Sequence, residues 1–135
     1  SGGTPQLEFQ DCVLRGNNAS NSGGALCHDA AGVVMLNGTR VSGNWARYGG
    51  GGVSAFGGVE QVEVVDSTFD GNYVADLANW GRNYFAGGGL SVNGEAEVTL
   101  RSSVFVGNGA EVGGGVSVRG NCTVSVEGTL FEDNL

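Results

Sequence analysis

The sequence predicts an all-β fold, a parallel β-helix solenoid of about four to five turns with three short strands in each turn. Three observations support this prediction. Short runs of residues alternate between apolar and polar side chains, glycine-rich segments separate these runs, and the same chemistry returns at matching positions roughly every 27 residues. A single turn of this kind is too thin to bury its own apolar face, so successive turns must stack to form a core.

The clearest copy of the repeat spans residues 97–118. Val98 and Leu100 alternate with polar residues in its first strand, Phe105 lies in its second strand, and Val116 begins its third strand after three glycines. A glycine-asparagine pair and the glycine run form the two corners. Side chains in a strand repeat every two residues, so the apolar positions share one face. We therefore expect each apolar position to form an inward-facing file through the stacked turns.

An asparagine that follows the second strand marks the register of every copy. Its copies are Asn17, Asn44, Asn72, Asn108 and Asn134. Large apolar residues lie three positions earlier: Leu14, Val41, Phe69, Phe105 and Phe131. Two more apolar sets lie eight and ten positions earlier: Phe9, Leu36, Val64, Leu100 and Val126, and Leu7, Val34, Val62, Val98 and Val124. A small, mostly hydroxylic set lies five positions earlier: Cys12, Thr39, Ser67, Ser103 and Thr129. We predict that each set is a vertical file, with side-chain hydrogen bonds passing between stacked asparagines.

Glycine runs mark the corner before the third strand of each turn. They occupy residues 23–24, 49–52, 87–89 and 113–115. A corner of this kind needs a positive φ or a close backbone contact, and glycine provides both without strain. The third strands then begin with an apolar file: Leu26, Val53, Leu90 and Val116.

The repeat resembles a known family of surface proteins. Residues 69–72 (Phe-Asp-Gly-Asn), 105–108 (Phe-Val-Gly-Asn) and 131–134 (Phe-Glu-Asp-Asn) look like the FxxN motif of the chlamydial polymorphic outer membrane proteins. Residues 23–26 (Gly-Gly-Ala-Leu) look like their GGA motif with a following aliphatic residue. The resemblance covers nearly the whole chain, although the first two turns carry other apolar residues in place of phenylalanine and most corners read GGG. It implies a right-handed parallel β-helix displayed outside a cell, with a role in adhesion or surface architecture and no catalytic residues.

Composition and charge limit the possible partners. The chain has 135 residues, 27 glycines and one proline, which suits a single elongated β-helix segment, residues 1–135, more than a globule. Neither terminus offers the polar cap that a solenoid needs, so we expect a piece of a longer protein. The net charge of −8 repels phosphate backbones, and we expect no nucleic-acid partner. No long apolar run predicts membrane insertion of this segment.

The third turn is longer than the others because of an insertion, residues 74–86, which we expect to emerge as a lateral loop. Aromatic residues and arginines concentrate there and at the same corner of the neighbouring turn: Trp45, Arg47, Tyr48, Tyr73, Trp80, Arg82 and Tyr84. Such side chains suit a protein interface or stacking on sugar rings. They are equally consistent with a loop that folds over the flank and buries its own aromatic residues as a satellite cluster. The sequence does not decide whether the loop covers the flank of the solenoid, contacts a protein or contacts a glycan.

Three Asn-x-Ser/Thr sequons are candidates for N-glycosylation, each near a predicted corner or strand edge: Asn18, Asn37 and Asn121. The cysteines should not form a disulfide within the segment, because Cys27 and Cys122 are several turns apart. Cys12 falls in an inward file and should be buried. Cys27 falls in a file with serines of the later turns, and we expect this position to face outward.

An enzymatic role is disfavoured by the placement of the acidic residues. Parallel β-helices include polysaccharide lyases and hydrolases, which need converging carboxylates, in some cases with calcium. Outward positions of the first strand include Glu8, Glu63 and Glu127, which fall on turns that are not adjacent. We therefore expect no catalysis, no metal ion and no cofactor.

The favoured function is a structural segment of an extracellular or cell-surface β-helix glycoprotein, such as a wall or a filament-like appendage. Its expected partners are protein neighbours in a surface assembly, with glycans as a second class. The alternative is an adhesin or recognition module that uses the aromatic lateral loop. A β-helix of the lyase or hydrolase type is the less favoured alternative.

Overall fold

A computed structural model of the chain describes residues 5–20, 22–47, 49–74, 87–110 and 113–135. Within these ranges the chain forms β-strands and turns and contains no helix. Strands of successive turns pair in parallel, and their stacking builds a β-solenoid of about four turns. The predicted all-β parallel β-helix is confirmed.

The turns stack through four sheets, whose strands are numbered along the chain. The first sheet contains β1 (Gln6–Gln10), β5 (Gly32–Asn37), β9 (Val59–Val65), β13 (Glu97–Arg101) and β16 (Thr123–Glu127). The second sheet contains β2 (Val13–Arg15), β6 (Arg40–Ser42), β10 (Thr68–Asp70), β14 (Val104–Val106) and β17 (Leu130–Glu132). The third sheet contains β3 (Asn18–Ala19), β7 (Trp45–Ala46) and β11 (Tyr73–Val74). The fourth sheet contains β4 (Leu26–Asp29), β8 (Val53–Phe56), β12 (Leu90–Gly94) and β15 (Val116–Gly120). The three predicted strands lie in the first, second and fourth sheets, and the third sheet adds two-residue strands at the corner after the asparagine.

The predicted apolar files line the interior. Strand pairing in the second sheet places one file side by side: Leu14, Val41, Phe69, Phe105 and Phe131. Phe69 and Phe105 are fully buried and stack with their ring centroids 4.6 Å apart, and Phe105 stacks on Phe131 at 5.2 Å. Two files of the first sheet are at most 1% exposed in the middle turns: Val34, Leu36, Val62, Val64, Val98 and Leu100. The continuous removal of these side chains from water is the main force that holds the turns together.

Two polar ladders run beside the apolar files. Each asparagine side chain from Asn17 to Asn108 donates from Nδ2 to Oδ1 of the asparagine in the next turn at 2.9 Å. The backbone N–H of the same residue donates to that oxygen at 3.0–3.1 Å. In the second ladder the N–H of Thr39 donates to Ser67 Oγ and the N–H of Ser67 donates to Ser103 Oγ, both at 3.1 Å. The ladders satisfy polar groups that would otherwise be buried without partners.

Two corners of the turn use glycine for different reasons. The residue before each file asparagine has a φ between 52° and 65°, and these residues are Gly16, Gly43, Gly71, Gly107 and Asp133. The corner before the fourth sheet depends on close contact, since a Cβ on Gly88 would lie 2.5 Å from the carbonyl oxygens of Gly109 and Gly114. Conformation therefore favours glycine at the first corner, and lack of space requires it at the second.

Candidate functional site

The corner after the file asparagine carries a row of outward-facing residues, called the aromatic row: Asn18, Trp45 and Tyr73. In the third sheet Asn18 pairs with Trp45, and Trp45 pairs with Tyr73. The next residues of the last two strands are buried, with Ala46 at 0% and Val74 at 4% exposure. Because alternate residues of a strand point to opposite faces, the aromatic row points outward. The structure thus brings the two aromatic side chains together on adjacent turns.

The aromatic row is only partly accessible. Trp45 is half-buried, and Tyr73 is 41% exposed. The ring of Tyr73 lies over the fourth turn, because a Cβ on Gly109 would be 2.7 Å from its Cδ2 atom. Arg47, two residues after Trp45, is exposed. The corner therefore presents aromatic surface next to a cation, a combination that is frequent in contact surfaces.

The other predicted binding residues lie outside the described residues: Tyr48, Trp80, Arg82 and Tyr84. Of the predicted lateral loop, residues 74–86, only Val74 is described, and it ends β11 with a buried side chain. Whether the loop covers the flank, contacts a protein or contacts a glycan therefore stays a prediction.

The three sequon asparagines are all exposed: Asn18, Asn37 and Asn121. Their hydroxyl residues differ in accessibility. Thr39, in the sequon of Asn37, is 1% exposed, and its Oγ1 donates to a carbonyl oxygen of the previous turn at 3.1 Å. Ser20 and Thr123, which complete the other two sequons, are exposed. In the folded chain the sequons of Asn18 and Asn121 expose both the asparagine and the hydroxyl residue, whereas the sequon of Asn37 has a buried hydroxyl residue.

All three cysteines are free, and their environments differ from the expected pattern. Cys27 is exposed as expected, and partial burial of its thiol, with a smaller contribution from Asp29, raises its pKa. The expectation that this file faces outward in the later turns is wrong, because Ser54 is fully buried. The glycine corner packs against it, and a Cβ on Gly50 would lie 2.7 Å from the Cβ of Ser54. Cys12 is half-buried instead of buried, because it lies in the first described turn and no described turn stacks on it from the N-terminal end.

A groove on the outer side of the second sheet is a further candidate that the sequence expectations did not include. It has a volume of about 480 Å³ and is called the axial groove; its lining residues are Arg15, Gly16, Ser42, Gly43, Asp70 and Gly71. Arg15, Ser42 and Asp70 occupy one row in successive turns, so the groove runs along the stacking axis. Nη2 of Arg40 donates to Oδ2 of Asp70 at 2.8 Å. The glycine before each asparagine can be read from the sequence. Its position beside the charged side chains becomes known only from the pairing of the strands.

The described residues contain no group of three or more His, Cys, Asp or Glu side chains placed to hold a metal ion. On the first sheet Glu63 pairs with Met35 and Thr99 of the adjacent turns, so its row neighbours are not acidic. A helix with the length and apolar character needed to cross a membrane is likewise not found in the described ranges.

No protein-family model matches the chain, and no significant match is found among curated proteins or solved structures.

Proposed function

We propose that the chain is a non-catalytic structural segment of an extracellular β-helix glycoprotein at a cell surface, in a wall or in a filament-like appendage. The observation that carries this proposal is the continuity of the stacked files. One apolar file and the asparagine ladder each extend from the first described turn to the last. The inward residues of the repeat thus stabilise the stacking of the turns, and the outward residues are available for contacts with neighbouring molecules.

The arrangement suits a stiff rod. Parallel strand pairing directs the backbone hydrogen bonds of four sheets along the stacking axis. The asparagine ladder adds buried bonds in the same direction, such as the 2.9 Å bond from Asn72 to Asn108. Bending must lengthen such bonds on one side, and each bond that breaks costs about 0.5–1.5 kcal/mol. Resistance to deformation is the property that a wall or filament component needs.

The outer surface supports a role among extracellular neighbours. Three sequon asparagines are exposed, which glycosylation requires. The aromatic row provides apolar contact area on one flank, and aromatic side chains are frequent anchors in protein interfaces. We infer that a neighbouring chain contacts this flank.

Lateral association tests the proposal. Protein secreted from a eukaryotic host would be studied by analytical ultracentrifugation and negative-stain electron microscopy, and its sequons would be checked by mass spectrometry. We expect the wild type to assemble with increasing concentration. The double variant Trp45→Ala/Tyr73→Ala should associate roughly tenfold more weakly, because it loses the aromatic anchors.

Val13→Ala is the matched control for this experiment. Val13 is an apolar residue with 62% exposure on the second sheet, outside the aromatic row. The control variant should assemble like the wild type. A wild type that stays monomeric at all concentrations would refute lateral assembly through this flank.

A recognition module is the second candidate function. The observation that favours it is the 41% exposure of Tyr73 beside Trp45 in the single chain, which leaves aromatic surface for a glycan or a receptor protein. The same double variant separates the two functions. Loss of glycan-array or receptor binding with unchanged self-association would favour recognition, and the reverse result would favour structural assembly.

A further inference from the structure

We propose that the axial groove binds a neutral oligosaccharide that lies along the stacking axis. This site is separate from the aromatic row and does not depend on the structural role proposed above. Its volume of about 480 Å³ lies within the range of ligand sites, roughly 300–1,000 Å³. Three features of the groove favour this ligand: its floor, its polar wall and the hydrogen bonds that are already made there.

The floor is open because side chains are missing from three successive turns. Gly16, Gly43 and Gly71 have φ values of 61–65°, and a Cβ on any of them would have no atom within 4 Å. The corner itself does not require glycine, since Asp133 adopts a φ of 52° at the same position of the last copy of the repeat. Glycine at positions 16, 43 and 71 leaves a strip of Cα methylene groups accessible. An apolar strip of this kind suits the C–H face of a sugar ring.

The wall provides hydrogen-bonding side chains at a repeating distance. Arg15, Ser42 and Asp70 lie in one row, and adjacent strands of a sheet are about 4.8 Å apart. Guanidinium and carboxylate groups can each bond two neighbouring hydroxyl groups, and a serine hydroxyl both donates and accepts. Oδ2 of Asp70 also accepts a hydrogen bond from Nη2 of Arg40 at 2.8 Å, in an ion pair whose two side chains are exposed to solvent. A chain of hydroxyl-rich units laid along the groove would meet one such side chain per turn.

The backbone of the groove disfavours a peptide strand as the ligand. The N–H groups of the floor glycines already donate to carbonyl oxygens of the next turn at 2.9–3.1 Å: Gly16 to Ser42, Gly43 to Asp70 and Gly71 to Val106. Addition of a peptide strand depends on free main-chain groups, and these three donors are committed. Side-chain hydrogen bonding and an apolar floor remain, which favours a saccharide.

Charge favours a neutral saccharide over an acidic one. Arg15 and Asp70 are the charged residues among those that line the groove, so the lining carries no net charge. Arg40, outside the lining, pairs with Asp70. The whole chain carries a net charge of −8, so a polyanion is repelled at longer range. The ligand class is therefore a neutral chain of hexose or pentose units.

A groove-filling substitution tests the proposal. Gly43→Asp introduces at the centre of the floor the residue type that Asp133 places at the same corner. Gly107→Asp is the matched control, because Gly107 has a φ of 63° at the same register and does not line the groove. Isothermal titration calorimetry would use cellohexaose, mannohexaose and xylohexaose, with hexagalacturonate and an extended polar peptide as comparison probes.

We expect the wild type and Gly107→Asp to bind at least one neutral hexasaccharide equally well, and Gly43→Asp to bind it roughly tenfold more weakly. Circular dichroism would check folding. If Gly43→Asp does not fold, the double variant Arg15→Gln/Ser42→Ala takes its place. It leaves the glycine floor unchanged and should show the same loss of binding, because it removes hydrogen-bonding side chains from the wall.

Three results would overturn the proposal: no binding of any neutral hexasaccharide to the wild type, equal binding by the groove variant, or binding of the acidic or peptide probe alone. The Trp45→Ala/Tyr73→Ala variant keeps this test separate from the structural role. It should retain saccharide binding in the groove even when it has lost lateral assembly.

Discussion

Replacing Asn72 by alanine removes a fully buried link of the asparagine ladder. Oδ1 of Asn72 accepts from the N–H of Asn44 at 3.1 Å and from its Nδ2 at 2.9 Å. Nδ2 of Asn72 donates to the carbonyl oxygen of Val41 at 2.8 Å and to Oδ1 of Asn108 at 2.9 Å. Alanine deletes all of these bonds and leaves the buried N–H of Asn44 without its acceptor.

The expected loss follows from these contacts. An orphaned buried donor costs about 1–3 kcal/mol, and each of the other lost bonds contributes about 0.5–1.5 kcal/mol. With one orphaned donor and three other lost bonds, we expect Asn72→Ala to lower the free energy of unfolding by about 2.5–7.5 kcal/mol, a large part of the typical total of about 5–15 kcal/mol. Asn17→Ala is the matched control, since Asn17 is exposed and its side chain makes the 2.9 Å bond to Asn44 from the first turn. It should cost about 0.5–1.5 kcal/mol.

Urea unfolding followed by far-UV circular dichroism measures both variants. With a slope of about 1–3 kcal/mol per M, Asn72→Ala should lower the urea midpoint by about 2 M, and Asn17→Ala by less than about 1 M. Equal losses in the two variants would refute the reasoning, because burial and connectivity would then not decide the cost. A loss below about 1 kcal/mol for Asn72→Ala would contradict the ladder as a source of stability.

Substitution of Asn72 by aspartate adds a test of donor chemistry. A carboxylate keeps the shape of the amide but cannot donate to Val41 or Asn108. Because position 72 is fully buried, we expect the pKa of this carboxyl to lie above its unfolded value, so that protonation is favoured in the folded state. The loss of stability in Asn72→Asp should therefore be largest above the folded-state pKa and should shrink as the pH falls through it. A loss that does not change with pH would contradict this explanation.

Three further predictions address the corners, the core and the free thiol. Gly88→Ala should lower the free energy of unfolding by about 3 kcal/mol, because its Cβ would lie 2.5 Å from two carbonyl oxygens. Gly71→Ala should lower it by about 1–2 kcal/mol, because only its φ of 64° is unfavourable for alanine. Urea unfolding of both variants checks this order. Phe105→Ala should cost about 3–5 kcal/mol, measured in the same way, because its ring is fully buried between two stacked rings. Alkylation of Cys27 should reach half of its maximal rate at a higher pH in the folded chain than in urea, and Asp29→Asn should lower that pH, because burial and then Asp29 raise the thiol pKa; identical pH profiles would contradict the shift.

The stacking register could be predicted because the same spacing of residue types recurs in every copy of the repeat. Phe69 and Phe105 each lie three positions before an asparagine, and this spacing alone places them in one file. The hydrogen bonds between Asn72 and Asn108 follow from the same register, since identical side chains then lie one above the other. The neighbourhood of Trp45 and Tyr73 could be predicted for this reason too.

Other features depend on how the corners pack, which the spacing does not contain. Ser54 alternates with inward residues and was expected to face outward, yet the glycine corner at Gly50 closes over it. The position of Tyr73 over Gly109 is likewise a contact between corners of different turns. The axial groove needs both the left-handed conformation of residues such as Gly43 and the row that places Asp70 beside them. Such features require three-dimensional coordinates, because they join segments whose lengths vary from turn to turn.

The asparagine ladder has a direction, and this makes the repeat modular. From Asn17 to Asn108, Nδ2 of each asparagine donates to Oδ1 of the asparagine in the following copy, as between Asn44 and Asn72. Each copy meets only its nearest neighbours, so an internal copy can be duplicated or deleted and the new junction is chemically the same as the old. A reversed copy would instead oppose donor to donor. Unequal recombination within the gene can therefore change the length of the solenoid in steps of one turn, without a redesign of the fold.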